Sequence, residues 1–285
     1  DGLPDGAAHG VLVRATISRG RVTDIDQGPI ADIPGLLCVL ADERMLRNPA
    51  QGMAGAAPVQ PGAEVHYYGQ PIALAVAETF EAARDAAQRL KVSYETEDGV
   101  ETRPDMASEL EVGDPETAGD FDTAFAESEV TIDSHFTTAP HAAAAMEPHA
   151  SIAEWDGDTV TLHSSLQMLR FNKKELADSL GIDPDNVRIL SPFIGGGFGS
   201  KLGLGPEGVA AALAAKKLGR PVRVVMTRQN VFDVVLRRTE TAQRVRFGAD
   251  KDGKIRAISH DDRVSNIEGE GFAEPVTQAS QFLYG

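Results

Sequence analysis

Apolar residues in this chain fall into short runs of the lengths typical of alternating strands and helices. The unbroken apolar run at residues 72–77 predicts a buried strand, and the alternating pattern at 130–136 predicts a half-exposed one. Thr79 precedes a helical period that extends through Leu90, and Gly181 ends a second predicted helix at 171–180. The pattern as a whole predicts a mixed α/β (α+β) fold.

One predicted loop has an unusual density of glycine. Four of five consecutive positions are glycine, with one aromatic residue among them: Gly195, Gly196, Gly197, Phe198 and Gly199. Glycine accepts positive φ and allows close approach, so such a loop can direct backbone N–H groups at oxygen atoms. The loop follows a predicted strand at 187–190 and precedes a helix beginning at Pro206, so that the helix N-terminus can face an anion.

Neither of two common phosphate-binding motifs fits this loop. A P-loop requires Ser or Thr after its lysine, but Lys201 is followed by Leu202. A dinucleotide fingerprint requires a third glycine, and Ser200 or Leu202 stands at that position. A glycine-rich turn that serves only close packing is therefore an alternative to ligand binding.

Charge and composition narrow the class of partner. The chain has 285 residues with 43 acidic against 27 basic side chains, and its net charge of -16 argues against a nucleic-acid partner. No apolar run is long enough to predict a membrane span, and the first residues lack the features of a secretory signal. We expect a cytoplasmic location, with export alongside a partner left open. The single cysteine, Cys38, excludes an iron–sulfur cluster held by several thiolates of this chain.

An acidic stretch divides the chain. Residues 95–129 contain thirteen acidic side chains and one basic one, which is typical of a solvated connector. We predict an α/β domain at 1–105, an acidic connector at 106–129 and a second domain at 130–285. Three histidines (135, 141 and 149) lie near Glu147, but their spacing matches no zinc motif, and no metal held by protein side chains is predicted.

Several motifs in order resemble one known family. Residues 193–201, with Ser-Leu-Gln at 165–167 and Met-Glu-Pro-His at 146–149, resemble the molybdenum-binding subunit of the xanthine dehydrogenase/aldehyde oxidase family. Residues 10–14 and 69–71 resemble the family's N-terminal hammerhead domain. The resemblance implies that 1–105 is a hammerhead-like α/β domain and that 130–285 is the first, incomplete part of a molybdopterin-binding domain.

The resemblance also implies a chemistry. A pterin-bound molybdenum would hydroxylate an aldehyde or aromatic N-heterocycle with oxygen from water, assisted by a glutamate base, and electrons would leave through iron–sulfur and FAD partners. The family's oxo-binding glutamine corresponds to Gln167, and the backbone N–H groups near the oxo ligand correspond to Phe198 and Gly199. The preceding glycines (195, 196 and 197) complete the expected cofactor-binding set. A carboxamide NH₂ and loop amides suit an oxo acceptor because they donate without adding charge.

Two departures from the family qualify this prediction. Purine-oxidising members carry a glutamate where this chain has Leu202, which favours an aldehyde or apolar heterocycle as substrate. The family's subunit is several hundred residues longer, with the catalytic glutamate in its C-terminal half. We therefore expect these 285 residues to be inactive alone, and to require that half or a separate second-half subunit.

Other options stay open at this level. Molybdenum–molybdopterin, with the cytosine dinucleotide form as one option, is expected in the complete enzyme, and its absence from this fragment alone is left open. The first alternative is a non-catalytic cofactor-binding or assembly module that pairs with a second-half subunit. The other is an α/β protein whose glycine loop serves packing alone.

Overall fold

The structure is a computed structural model that describes residues 4–45, 63–99, 101–107, 112–113, 115–265 and 275–284. It confirms the mixed α/β fold. The strands are β1 Ala8–Arg14, β2 Gly20–Asp26, β3 Leu36–Leu40, β4 Glu64–Val65, β5 Pro71–Ala77, β6 Lys91–Thr96, β7 Val130–Thr138, β8 Ala150–Asp156, β9 Thr159–Ser164, β10 Val187–Leu190, β11 Val222–Val225, β12 Thr241–Ala249 and β13 Ile255–Val264. The helices are α1 Phe80–Arg89, α2 Phe121–Ala126, α3 Leu169–Leu180, α4 Pro206–Leu218, α5 Arg228–Val234 and α6 Gln278–Tyr284.

The chain folds into two compact units, each built from separate stretches of sequence. The first consists mainly of Asp1–Gly99 and Ala142–Arg237, and the second mainly of Val100–His141 and Arg238–Ile267. Each unit combines stretches that are distant in sequence, so the two units do not correspond to consecutive segments of the chain. The boundaries at 105 and 129 therefore stay a prediction.

A seven-stranded mixed sheet organises the first unit, in the order β10-β9-β8-β11-β1-β5-β3. Its interior strand β5 is buried at every position, because helices and a smaller sheet cover both faces. Leu74 and Val76 point into one cluster of apolar side chains, and Ala73 and Ala75 point into the other. Burial on both faces explains why the sequence of this strand is continuously apolar.

Two helices, α3 and α4, cover one face of the sheet. The helix α3 ends at Gly181, which adopts a left-handed conformation with φ of 66°, as predicted. Ten consecutive residues of α4, from Pro206 to Ala215, are buried, and five of them are alanine. The small side chains let this helix lie close against the strands of the sheet.

The other face of the sheet carries α1 and the small antiparallel sheet β4-β2-β6. The Thr79 hydroxyl oxygen accepts a hydrogen bond from the Ala82 N–H and caps α1, as its sequence position predicts. Cys38 lies on β3, half-buried beside the larger apolar cluster.

The second unit contains a three-stranded antiparallel sheet in the order β13-β12-β7. The helix α2 lies within the segment predicted as a connector, and the Asp120 carboxylate accepts the Thr123 N–H at its start. Among the described residues, no helix combines the length and the apolar character needed to cross a membrane.

Candidate functional site

Sheet topology brings three chain segments together at one edge of the first unit. The parallel strands β9 and β10 end at this edge, and β8, which runs antiparallel to β9, begins there. The residues just before β8, those just after β9 and the glycine loop after β10 are therefore neighbours. Glu147, Gln167 and residues 195–201 come from these three segments.

Two glycines of the loop are required by the packing of protein side chains. A Cβ on Gly197 would lie 2.3 Å from Gln167 Oε1, and one on Gly195 would lie 2.5 Å from Glu147 Cβ. The lack of a side chain at these positions makes room for the glutamine and the glutamate. Packing thus accounts for part of the glycine content, in addition to any ligand.

The remaining glycines and Phe198 set the turn of the loop. Gly196 and Gly199 have φ of 99° and 92°, a region that side chains rarely adopt, and Phe198 itself has φ of 51°. Phe198 is 78% exposed. No described residue accepts a hydrogen bond from the Phe198 N–H.

The Gln167 carboxamide has a defined direction. Its Oε1 accepts hydrogen bonds from the N–H groups of Gly199 (3.2 Å) and Lys201 (3.3 Å). Its backbone N–H donates to the Lys201 carbonyl at 2.8 Å. Because only the oxygen of a carboxamide can accept from two N–H groups, Nε2 must point away from the loop. Within the described parts of the chain, Nε2 has no acceptor and remains available as a donor.

An ion pair between a buried lysine and a partly exposed glutamate, which the sequence does not reveal, supports the loop. The Lys201 side chain is fully buried, and its Nζ donates to Glu147 Oε2 at 2.6 Å. The same carboxylate oxygen accepts the Gly195 N–H at 2.8 Å and the Ser165 hydroxyl at 2.6 Å. A lysine that follows a strand and a turn in an apolar neighbourhood is a signal that a carboxylate partner is needed, but the sequence does not say which.

These hydrogen bonds determine the ionisation of Glu147. Burial alone would raise the pKa of this carboxyl, but the bonds from Lys201, Ser165 and Gly195 outweigh it and hold the pKa below its ordinary value. The carboxylate is therefore ionised at neutral pH and saturated on one oxygen. It is a poor general base.

A polar network fixes the residues that follow the loop. Asn172 Nδ2 donates to the Leu202 carbonyl at 2.7 Å and to Glu175 Oε2 at 2.9 Å. Glu175 Oε2 also accepts the Leu204 N–H at 2.8 Å, and Asn172 Oδ1 accepts the Met168 N–H at 3.2 Å. Burial raises the pKa of Glu175, although its hydrogen bonds oppose the rise. The helix α3 thus holds both the residue after Gln167 and the end of the loop.

The N-terminus of α4 is buried. Pro206 and Glu207 at its start are buried, and the Glu207 carboxylate packs against Gly205, where a Cβ would lie 2.1 Å from Oε2. Burial raises the pKa of Glu207, with opposing effects from His149 and Lys201. The Glu207 side chain therefore lies against the residue that precedes the helix.

The three histidines have separate environments. His149 Nε2 donates to the Ser200 carbonyl at 2.9 Å, while its Nδ1 is buried without a partner among the described residues. His135 and His141 belong to the second unit. In the described ranges, no group of three His, Cys, Asp or Glu side chains is placed to hold a metal ion.

The sequence matches two family models. Residues 102–278 match the molybdopterin cofactor-binding domain, and residues 2–98 match the a/b hammerhead domain of aldehyde oxidase and xanthine dehydrogenase. The chain is 40% identical over 282 residues to the aldehyde oxidoreductase molybdenum-binding subunit PaoC of Escherichia coli (strain K12). That match covers 98% of this chain and 38% of the PaoC subunit, so the chain spans well under half of this relative.

Solved structures give a similar result. Aldehyde oxidoreductase from Desulfovibrio gigas matches with a TM-score of 0.78 at 25% identity, covering 91% of this chain and 31% of that one. Quinoline 2-oxidoreductase from Pseudomonas putida 86 matches with a TM-score of 0.80 at 25% identity, covering 92% and 36% of the two chains.

Replacing Gly197 with alanine should displace the Gln167 carboxamide, because the new Cβ would overlap Oε1. We expect the variant to lose the two hydrogen bonds to Oε1 and about 1–2 kcal/mol of unfolding free energy in denaturant titration. Gly113→Ala is the matched control, since its Cβ would meet nothing within 4 Å. It should stay within about 0.5 kcal/mol of wild type. Equal stability of the two variants would contradict the proposed packing.

Stability should depend on pH through Glu147. Its pKa is lowered by folding, so its contribution is complete above the ordinary glutamate pKa of about 4.3 and is lost as pH falls through the folded value. The difference in unfolding free energy between wild type and Glu147→Gln should therefore shrink as pH falls from about 5 to about 3. Glu43→Gln, which removes one carboxylate at an exposed position of the same unit, is the control to which the Glu147→Gln trend is compared. A difference that grows on acidification would refute the assignment.

Proposed function

This chain belongs to the molybdopterin cofactor-binding family of aldehyde oxidases and xanthine dehydrogenases. We propose that it contributes the residues that face the oxo ligand of the molybdenum in a hydroxylase. The proposed reaction converts an aldehyde or aromatic N-heterocycle to its hydroxylated product with oxygen from water. The observation that carries the proposal is the direction of Gln167, whose oxygen is bound by two loop amides and whose NH₂ faces outward.

The donor set of the site fits the proposed cofactor. An oxo or pterin oxygen accepts hydrogen bonds, and Gln167 Nε2 and the Phe198 N–H are neutral donors that have no acceptor among the described residues. When bound, the molybdenum–molybdopterin group would supply the two-electron redox chemistry. The donors are held by a preformed backbone, so they need little reorganisation when a ligand oxygen arrives.

Each residue of the predicted set then has a role of its own. Gln167 and Phe198 are proposed to donate to the cofactor. Gly199 is proposed to orient the Gln167 side chain, because its N–H is already bonded to Oε1 and is not available to the cofactor. The glycines at 195, 196 and 197 shape the loop and leave room for the side chains that support it.

The surroundings of the loop favour an apolar substrate. Met146, Phe193, Ile194 and Phe198 expose large apolar side chains around it, and Leu202 stands where purine-oxidising members carry glutamate. A purine would lose a charged partner at this position, whereas an aldehyde needs none. The 40% identity to the subunit named aldehyde oxidoreductase supports the same choice.

We propose that the 285 residues do not turn over substrate by themselves. The carboxylate that bonds to the glycine run, Glu147, accepts three hydrogen bonds on Oε2 and has a lowered pKa, which does not suit a general base. The half-buried Cys38 is the single cysteine, so iron–sulfur centres must use thiolates from elsewhere. The partners proposed are a second pterin-binding part together with iron–sulfur and FAD subunits or domains.

One relative favours a split arrangement of that second part. The nicotinate dehydrogenase large molybdopterin subunit of Eubacterium barkeri is 26% identical over 274 residues, and the match covers 63% of it. That subunit is therefore much shorter than PaoC, of which the match covers 38%. A cofactor-binding module that pairs with a separate second-half subunit is accordingly the second candidate.

The direct test is Gln167→Ala in the molybdenum-loaded enzyme, assayed on an aldehyde, an aromatic N-heterocycle and xanthine. We expect wild type to prefer the aldehyde over xanthine, and the variant to lose about 100-fold in kcat while retaining molybdenum, the scale of losing one preorganised donor. Gln88→Ala, at an exposed position of α1, is the control and should match wild type.

Two results would count against the proposal. One is a Gln167→Ala enzyme with wild-type kcat, and the other is wild-type protein that contains neither molybdenum nor pterin when purified with its partners. Turnover by the isolated 285-residue chain would overturn only the proposal that it is inactive alone.

A further inference from the structure

We propose that Lys201, anchored by Glu147, is a positioning residue that sets the direction of the Gln167 carboxamide. This inference rests on the proposed function, because it explains how the outward-facing NH₂ group is maintained. Lys201 contacts Gln167 through its backbone at two points and contacts Glu147 through its side chain. Within the described loop, Lys201 is thus the residue that connects the ion pair with Glu147 to the proposed donor.

The orientation of a carboxamide depends on the hydrogen-bond partners of its oxygen and of its nitrogen. A rotation of 180° would exchange Oε1 and Nε2 of Gln167 and would place two N–H donors of the loop against an NH₂ group. That arrangement is unfavourable only while the Gly199 and Lys201 amides stay in place. The selection between the two orientations therefore depends on the position of the loop backbone.

The loop backbone needs an external anchor because of its composition. Glycine restricts its own φ and ψ very little, and two of the loop glycines occupy the left-handed region. One carboxylate oxygen, Glu147 Oε2, binds the Gly195 N–H and Lys201 Nζ, at the two ends of the glycine run. Glu147 thereby clamps the run at both ends.

The two members of the ion pair differ in burial, because Lys201 is fully buried and Glu147 is partly exposed. The Lys201 side chain has no exposure, so its ammonium group depends on Glu147 as a partner. Water could take the place of that carboxylate only if the chain moved. The Glu147 side chain is 39% exposed, so a variant that lacks the lysine charge leaves a carboxylate that water can still solvate. Lys201→Met is therefore expected to fold, with the clamp open at one end.

The test measures hydrogen exchange of the Gly199 amide in the cofactor-free 285-residue chain. Lys201→Met should speed this exchange at least tenfold, and Gln167→Ala should do the same. In the double variant Lys201→Met/Gln167→Ala, exchange should be no faster than in Gln167→Ala alone, because Lys201 acts through Gln167. Lys216→Met removes an exposed lysine of α4 and should leave the Gly199 rate within twofold of wild type.

A second variant separates positioning from folding. Glu147→Gln/Lys201→Met removes both charges, so no unpaired charge is left buried, and it should still show fast Gly199 exchange in a folded protein. A Gly199 rate within twofold of wild type in either Lys201 variant, or additive effects of Lys201→Met and Gln167→Ala, would overturn the inference.

Failure of this inference is distinguishable from failure of the proposed function. The exchange measurement needs no cofactor, so an unchanged rate rejects the positioning role and leaves cofactor binding untouched. Conversely, the expected rates in a protein that never binds molybdenum would reject the proposed function and leave the positioning role standing.

Discussion

A buried ammonium group requires a counter-charge, and at Lys201 the counter-charge comes from Glu147, 54 residues earlier in the chain. The pair joins the segment before β8 to the loop after β10 at the edge where the strands end. Because the carboxylate also binds the Gly195 N–H, it fixes both ends of a backbone that glycine alone would leave loose. The direction of the Gln167 side chain depends on this arrangement.

The site therefore separates two tasks. Charged groups lie beneath the loop, where they are paired and hold the backbone, and the groups that face outward are neutral donors and apolar side chains. A neutral donor can bind an oxygen of a cofactor without competing for its metal or altering its charge. Family membership and the geometry of this loop support the same division of labour, in which protein supplies position and the cofactor supplies reactivity.

Local sequence was enough to predict the strands at 72–77 and 187–190, α1 with its Thr79 cap and α3 with its terminal glycine. The pairing of Gln167 with the glycine loop was implied by the family resemblance alone, and the structure joins the two through hydrogen bonds from the Gly199 and Lys201 amides. Local sequence did not show that β1 pairs with β11, because pairing across more than 200 residues leaves no local pattern. The short helix α2 was hidden by its acidic surroundings. The Glu147–Lys201 pair was missed for a related reason, since each residue alone is typical of a solvated surface.

The central claim is that Gln167 presents Nε2, and not Oε1, to the bound group. The most direct measurement is an experimental structure of the cofactor-loaded protein. It should show Nε2 about 2.7–3.2 Å from an oxygen of that group, with Oε1 still bonded to the Gly199 and Lys201 amides. A structure in which the cofactor oxygens lie far from Nε2, or in which Oε1 faces them, would contradict the account.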